Sequence, residues 1–190
     1  MELPQDYNPS LTFENTNTLY GNHYKFAIDR LPDLTFYVQS VQTSTVTGEQ
    51  LIQPNPFANI HHPGEKLQFG TINVSYLIDA NFKNYFSLYY WMKGYGFPHS
   101  FDEVVQFRAK QKTLIGNVRP TVHNVETTHA VLSILTPDTS AIIAEIHYDG
   151  LFPTELSALQ FQTTDSDAPL LSTSCTFSCS TFDIKLTTSE

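Results

Sequence analysis

The residue types that could support chemistry are seven histidines, two cysteines and nineteen acidic residues, and their spacing matches no reactive or metal-binding pattern. His61 and His62 are adjacent, and adjacent residues of an extended chain point in opposite directions. Asp165 and Asp167 could bind Ca²⁺, but no glycine and acid follow at the EF-hand spacing, so a turn stabilised by aspartate side chains is the better interpretation. Four further histidines fit no ligand spacing: His99, His123, His129 and His147. The sequence therefore predicts no metal site.

Cys175 and Cys179 lie in a segment that alternates as a β-strand. Side chains four residues apart on a strand point to one face, roughly 13 Å apart at ~3.3 Å per residue. A disulfide needs α-carbons within about 7 Å, so these two cysteines cannot pair with each other. We predict two free, buried thiols in a reducing compartment, with an intermolecular bridge as the minor alternative.

Composition and motifs argue against several classes of function. A formal charge of -9, from nineteen acidic and ten basic residues, argues against tight nucleic-acid binding, which requires Lys and Arg at phosphates. The N-terminus has no signal-peptide pattern, and no apolar run approaches the ~20 residues of a membrane span. No Gly-x-Ser-x-Gly, P-loop or Rossmann pattern occurs. We expect neither an enzyme nor a cofactor, and no membrane partner.

The elements that would position any site are mostly β-strands. We predict a single domain over residues 1–190 that begins with a polar arm, residues 1–23. Its fold class is mainly antiparallel β, a sandwich or open barrel with one principal packed helix. The predicted strands cover residues 24–28, 34–41, 72–78, 128–135, 141–148, 159–161 and 170–186. A long polar loop, residues 42–62, and a second short helix, residues 104–112, complete the prediction.

The principal helix is predicted over residues 80–93. Asp79 should cap its start, and Gly94, Gly96 and Pro98 should end it through a left-handed turn. Its apolar stripe, at helical spacing and expected to pack on the sheet, consists of Phe82, Tyr85, Phe86 and Tyr89, widened by Trp91.

Two proline-containing dipeptides are predicted to lie outside the strands. Pro63 and Gly64 form a turn that opens the segment leading to the helix, and Phe152 and Pro153 belong to a connection after the hairpin of residues 128–148. Within that hairpin Ile143 lies opposite Ile142 and Ile146, so both faces are apolar. A lone subunit could not cover both faces, which favours assembly.

The order of these motifs resembles the tail tube proteins of T4-like contractile-tailed bacteriophages. The resemblance covers about residues 24–184, and the Pro63-Gly64 and Gly96-Phe97-Pro98 elements are moderately specific in that order. The segments that carry it are residues 31–40, 54–57, 62–67, 76–79, 83–85, 91–98 and 150–159, with a strand that closes at 182–183.

This resemblance implies a β-sandwich subunit whose strands join those of five neighbours in a hexameric ring with a barrel-shaped lumen. Rings stack into a tube that encloses the tape-measure protein, conducts DNA on ejection and is surrounded by a contractile sheath. It implies a structural protein of the virion tail, assembled in the host cytoplasm, with baseplate and terminator proteins as further partners.

Two alternatives stay open. Related folds serve as the tube initiator of the baseplate and as the tail terminator. A monomeric β-sandwich binding module could instead use exposed aromatics such as Tyr37, Tyr90 or Tyr95.

The left-handed turn assigned to Gly96 can be tested by substitution. Gly96→Val should impair ring formation, because a β-branched residue resists a left-handed conformation. A variant that assembles like wild type in electron micrographs would contradict the assignment.

Overall fold

The structure is a computed structural model that describes Leu19 and residues 21–96, 127–161 and 170–187, together with Ser100, Asp102 and Val105. The described strands are β1 (Tyr24–Ile28), β2 (Val38–Gln42), β3 (Val46–Pro54), β4 (Asn59–Phe69), β5 (Thr71–Leu77), β6 (Thr128–Leu135), β7 (Ile142–Leu156), β8 (Ser172–Ser178) and β9 (Thr181–Leu186). A 3-10 helix spans Pro32–Phe36, and helix α1 spans Lys83–Gly96.

Seven strands form one open, antiparallel sheet in which β7 belongs to two halves. In the first half, β6 and β9 flank the N-terminal part of β7, and β1 lies outside β6. In the second half, the C-terminal part of β7 pairs with β8, which is followed by β5 and β2. The remaining strands, β3 and β4, pair with each other as a separate two-stranded ribbon. The predicted antiparallel fold with one principal helix is confirmed.

The passage of β7 from one half-sheet to the other occurs at Gly150. This residue has a left-handed backbone with φ of +66°. That conformation is energetically unfavourable for residues with a side chain but accessible to glycine. Ser180 lies against it, since a β-carbon on Gly150 would be 2.9 Å from the β-carbon of Ser180. The amide of Ser180 donates a 2.9 Å hydrogen bond to the carbonyl of Asp149, so the two strands remain joined at the bend.

Side chains from both half-sheets and from α1 form one hydrophobic core. Ile72, Val74 and Tyr76 of β5 are fully buried, which confirms the alternation predicted there. Cys175 and Cys179 are also buried and carry free thiols, as predicted.

Helix α1 turns a different face to the core from the one predicted. Its buried residues are Asn84, Leu88, Trp91 and Gly94, spaced by three or four positions. The predicted aromatic stripe points mostly outward, with Phe86 54 % exposed and Phe82 and Tyr89 also exposed.

The reason for this orientation is a buried amide. Asn84 donates from Nδ2 to the Leu77 carbonyl at 2.8 Å. Its Oδ1 accepts from the amides of Asp79, at 3.3 Å, and Tyr85, at 2.8 Å. A buried amide must keep such partners, so these bonds fix which face of the helix is turned inward.

The start and end of α1 also differ from the prediction. Asp79 precedes the first helical residue by four positions and does not cap it; its Oδ1 accepts a 3.2 Å hydrogen bond from the Tyr37 hydroxyl. Gly94 is buried within the helix. Gly96 is the last helical residue and is not left-handed, so the left-handed turn predicted there is wrong, and the reason given for an effect of Gly96→Val falls with it.

Both proline dipeptides lie inside strands rather than in turns. Pro63 and Gly64 belong to β4, where the register with β3 shifts between Gly48 and Gln50. The predicted loop of residues 42–62 is thus largely the ribbon. Phe152 and Pro153 belong to β7, and the pairing with β8 shifts immediately after Pro153. Prolines are tolerated in strands at such bulges, where ladder hydrogen bonds are interrupted.

Other strand predictions had mixed outcomes. The hairpin of β6 and β7 is confirmed, although β7 continues to Leu156. Residues 34–41 are divided between the 3-10 helix and β2, and residues 159–161 are not a strand. Several predictions lie outside the described residues: the arm up to residue 18, Phe97, Pro98, most of the 104–112 helix, and the 164–167 turn. Val105, within that helix, is helical.

The bend at Gly150 predicts a difference between two glycine substitutions. Gly150→Ala should lower the free energy of unfolding by about 2 kcal/mol or more, because alanine must adopt a left-handed backbone against Ser180. Gly96→Ala should change it by less than about 1 kcal/mol, since its β-carbon would meet nothing within 4 Å. Urea unfolding followed by fluorescence measures both, and equal effects would contradict this account of the bend.

Candidate assembly surfaces

The β3–β4 ribbon extends from the sheet on a short anchored base. At the base, the Ser44 hydroxyl donates to the Gly70 carbonyl at 2.8 Å, and the Gly70 amide donates to the Thr45 carbonyl at 2.8 Å. Every residue of β3 is exposed, and the two strands contact chiefly each other. Nine residues of strand correspond to about 30 Å. The ribbon is therefore a long projection.

Both faces of the ribbon carry exposed apolar side chains. Leu51 and Ile60 lie on one face, and Val46, Ile52 and Leu67 lie on the other, by the alternation and register of the strands. An isolated two-stranded ribbon is marginally stable in water. Exposed apolar area of this kind marks a contact surface, and here it lies on both sides.

The tip of the ribbon is also apolar. It connects Pro54 to Asn59 and carries Phe57, whose side chain is 97 % exposed.

A second uncovered surface lies along β9, which pairs with β7 on one side. Ile184 stands opposite Ile146, and Leu186 opposite Ala144. Paired residues share a face of the sheet, and both β7 residues are buried in the core. Ile184 and Leu186 are nevertheless 61 % and 76 % exposed, so the core face of the sheet continues beyond what the subunit covers.

The opposite face of the first half-sheet carries charged and polar groups beside the apolar side chains of Val131 and of Ile143, the residue predicted to make this face apolar. His129 Nδ1 lies 2.7 Å from Asp149 Oδ1, and His147 Nε2 lies 3.1 Å from Glu145 Oε2. Lys185 of β9 pairs with Glu145 in register. Because these groups are partly or largely exposed, they contribute little to stability and instead make a hydrated, charged surface.

One groove of the described surface, about 600 Å³, lies between β1 and β2, where the Tyr24 hydroxyl donates to the Gln39 carbonyl at 2.6 Å. Another, about 440 Å³, lies between the 3-10 helix and α1. Arg30 lines it with its guanidinium 4.7 Å from the Trp91 ring, and burial lowers the pKa of Arg30 to about 10.

The structure distributes the predicted motif residues among several places. Trp91 is in the core, Phe152 packs against Tyr95, and the Pro153 carbonyl accepts a hydrogen bond from the Tyr95 hydroxyl. Pro63 and Gly64 lie in the ribbon, and β5 separates them from the helix in the sequence. These residues shape the subunit and do not converge on one site.

The residues that form the exposed apolar surfaces are not among the predicted site residues. The alternation of Phe182, Ile184 and Leu186 is a signal that identifies the apolar face of β9. Leu51 and Ile52 lie in the segment predicted as a loop, and no sequence signal distinguishes that loop from a ribbon. In the described segments, no three His, Cys, Asp or Glu residues form a group that could hold a metal ion.

The buried thiols are poorly suited to chemistry. Burial raises the pKa of the Cys175 thiol to about 12, so little reactive thiolate forms near neutral pH. Burial also raises the pKa of Tyr148 to about 12. The Tyr76 and Tyr148 hydroxyls are buried without a hydrogen-bond partner among the described residues. The described helices include none long and apolar enough to cross a membrane.

The chain is similar to known proteins in its three-dimensional structure. No protein-family model matches the chain, and no curated protein matches its sequence. A chain of the sheath-tube complex of PVC, an extracellular contractile injection system in its extended state, superposes with a TM-score of 0.56 at 10 % identity. The match covers 90 % of this chain and 94 % of that one.

Two chains from structures of a tube cap and of a sheath/tube terminator are similar to this chain to about the same degree. The tube terminating cap of the anti-feeding prophage, AFP, has a TM-score of 0.56 at 12 % identity, over 94 % of this chain and 99 % of that one. The PVC sheath/tube terminator in its extended state has a TM-score of 0.55 at 10 % identity, over 89 % and 97 %. The chain therefore has the fold of chains found in the tube and terminator assemblies of contractile injection systems. At these identities the similarity establishes the fold.

The buried thiol predicts how stability depends on pH. The pKa of Cys175 is higher in the folded chain, about 12, than its ordinary value of 9.0. Between these values the unfolded chain loses the proton and the folded chain keeps it, so stability falls as pH rises, by about 1.4 kcal/mol per pH unit for one group. Cys175→Ala should make the decline between pH 9 and 11 shallower in urea titrations, and an unchanged slope would contradict the assignment.

Proposed function

We propose that this protein is the repeating subunit of a bacteriophage tail tube, a non-enzymatic structural protein of the virion that forms stacked hexameric rings. Two kinds of support combine: the fold is that of chains in contractile tube assemblies, and apolar side chains of the described residues are exposed on the ribbon and on β9. The observation that carries the proposal is the ribbon, whose apolar side chains on both faces are exposed and receive little contact from the other described elements.

Formation of a ring is assigned to β9. Its second edge has no partner strand in the described part of the chain and offers backbone groups for pairing with a strand of the next copy, and Ile184 and Leu186 need apolar cover on the core side. A head-to-tail contact of this kind closes into a ring when the rotation between copies is right.

Stacking of rings is assigned to the ribbon. Its length of about 30 Å lets it leave its own subunit and lie between surfaces of another ring. Apolar residues on both faces fit a position between two neighbours better than a position on top of one.

The face of the first half-sheet that carries Glu145 and Asp149 is assigned to the lumen. Its described charged groups are the acids Glu145, Asp149 and Asp183 and the bases Lys25 and Lys185, so it offers DNA phosphates few cations, and the net charge of -9 of the whole chain also disfavours holding DNA. In the assembled tail this lumen encloses the tape-measure protein, and the tube meets sheath, baseplate and terminator proteins. Assembly takes place in the host cytoplasm.

A terminating ring is the second candidate. The observation in its favour is that two of the similar structures are a tube cap and a sheath/tube terminator, with TM-scores equal or nearly equal to that of the sheath-tube chain. A terminator gives single rings that do not propagate, whereas a tube subunit gives stacks.

Variants of β9 test ring formation. Ile184→Gln combined with Leu186→Gln should abolish rings and tubes in negative-stain micrographs and leave a folded monomer, because the uncovered apolar strip is lost. Lys185→Gln, on the opposite face of the same strand, is the matched control and should assemble like wild type. Light scattering at several concentrations measures the mass. Wild-type protein that stays monomeric throughout, or a double variant that still forms rings, would contradict the proposal.

A further inference from the structure

Strand β7 changes its partners within a few residues. Its N-terminal part pairs with β6 and β9, and its C-terminal part pairs with β8. The change begins at the left-handed Gly150 and ends at the register shift that follows Pro153. The orientation of the first half-sheet relative to the second therefore depends on this short stretch, and so does the direction in which the edge of β9 points.

Side chains as well as the sheet hold the backbone of this stretch. Pro153 is fully buried, so water does not reach its carbonyl, and the ladder of hydrogen bonds is interrupted beside it. The hydroxyl of Tyr95, near the C-terminal end of α1, donates a hydrogen bond to that carbonyl. The Tyr95 ring also meets Phe152 in a T-shaped arrangement, with ring centroids 6.4 Å apart. One residue of the helix thus contacts both residues that precede the register shift.

Helix α1 is also fixed at its other end. Asn84 donates a 2.8 Å hydrogen bond to the carbonyl of Leu77, the last residue of β5. Between the two ends, the Trp91 ring centroid lies 6.3 Å from that of Phe177 in β8. The helix therefore crosses from β5 over β8 to β7, and it is a support from which Tyr95 holds the bulge of β7.

We infer that Tyr95 is a positioning residue for assembly: by holding the Pro153 carbonyl it sets the angle between the two half-sheets and so the direction of the β9 edge. This inference rests on the proposed function, in which β9 joins neighbouring copies. Loss of the hydroxyl would leave a buried carbonyl without this donor, which favours a different geometry of the bulge. A ring closes only when the rotation between copies is right, so a small change in this angle should weaken assembly more than it weakens the fold.

Two variants of the full chain test the inference. Tyr95→Phe keeps the ring beside Phe152 and removes the hydrogen bond to Pro153. Tyr37→Phe is the matched control, because it also removes one partly buried hydroxyl hydrogen bond, to Asp79, at the β5 side of the helix. Urea unfolding measures the stability of each variant. Should Tyr95→Phe not fold, Thr154→Val takes its place with the same expected results, because it removes the hydroxyl hydrogen bond from the same bulge to β8.

Pulsed EPR measures the orientation of the half-sheets at concentrations below assembly. Spin labels are attached at Phe86→Cys on the outer face of α1 and at Lys185→Cys on β9, both exposed positions, while the two native cysteines are buried. Tyr95→Phe should shift or broaden the distance between the labels by about 3 Å, the rise of one strand residue, and Tyr37→Phe should leave it unchanged. An unchanged distance in Tyr95→Phe, or the same change in both variants, would overturn the inference.

Light scattering measures assembly of the same variants without labels. Tyr95→Phe should need about ten times the wild-type concentration to form rings and tubes, the cost of about one hydrogen bond. Tyr37→Phe should assemble like wild type. An equal rise in both variants would show that lost stability alone weakens assembly, and it would overturn the assignment of Tyr95.

The two measurements separate this inference from the proposed function. A distance change in Tyr95→Phe, with a wild type that stays monomeric at every concentration, would support the hold on β7 and overturn the tube role. Wild-type tubes without a distance change in Tyr95→Phe would overturn the inference and leave the tube role standing. A distance change with unaltered assembly would overturn the assignment of Tyr95 to assembly.

Discussion

The two half-sheets are joined by the bend of β7 at Gly150, which lies against Ser180 between β8 and β9. One strand can serve two half-sheets because Gly150 adopts a left-handed backbone and Ser180 fills the space beside it. The bend brings side chains of both halves into one core, together with α1. The bend also places β9 beside β7, with Ile184 and Leu186 exposed. The same bend that joins the two halves of the core therefore positions the surface assigned to assembly.

The subunit combines a hydrophobic core with exposed apolar side chains outside it. Tyr76, Tyr148 and Trp91 fill the core, while Leu51, Ile184 and similar residues lie on the surface. A monomeric soluble protein seldom exposes contiguous apolar patches of large area. Here exposed apolar side chains occur along the ribbon, on β9 and on the outer face of α1, where Phe86 and Tyr89 lie, as expected when burial is completed by other copies.

Sequence patterns predicted those elements whose orientation depends on period-two alternation. β5, the β6–β7 hairpin and the buried thiols of residues 175 and 179 follow from it, because one face of each strand must be apolar. The face of α1 did not follow, because an aromatic stripe and the stripe through Leu88 have the same helical spacing. The choice between them depends on the Asn84 hydrogen bond to Leu77, which is a contact between separate elements.

The strand positions of Pro63 and Pro153 could not be predicted for a related reason. Composition predicts a break at each proline, yet each lies at or beside a register shift where the strand tolerates it. Bulges depend on pairing with a particular partner strand, so local composition does not reveal them. The ribbon and its apolar faces were missed as a consequence.

The single tryptophan has a practical consequence for following this protein in solution. Trp91 is fully buried among core residues, with the Arg30 guanidinium over its ring and Phe177 at 6.3 Å. The ribbon and β9, by contrast, contain no tryptophan. Intrinsic emission therefore reports the integrity of the core alone, and association of copies through those surfaces is spectroscopically silent at this fluorophore.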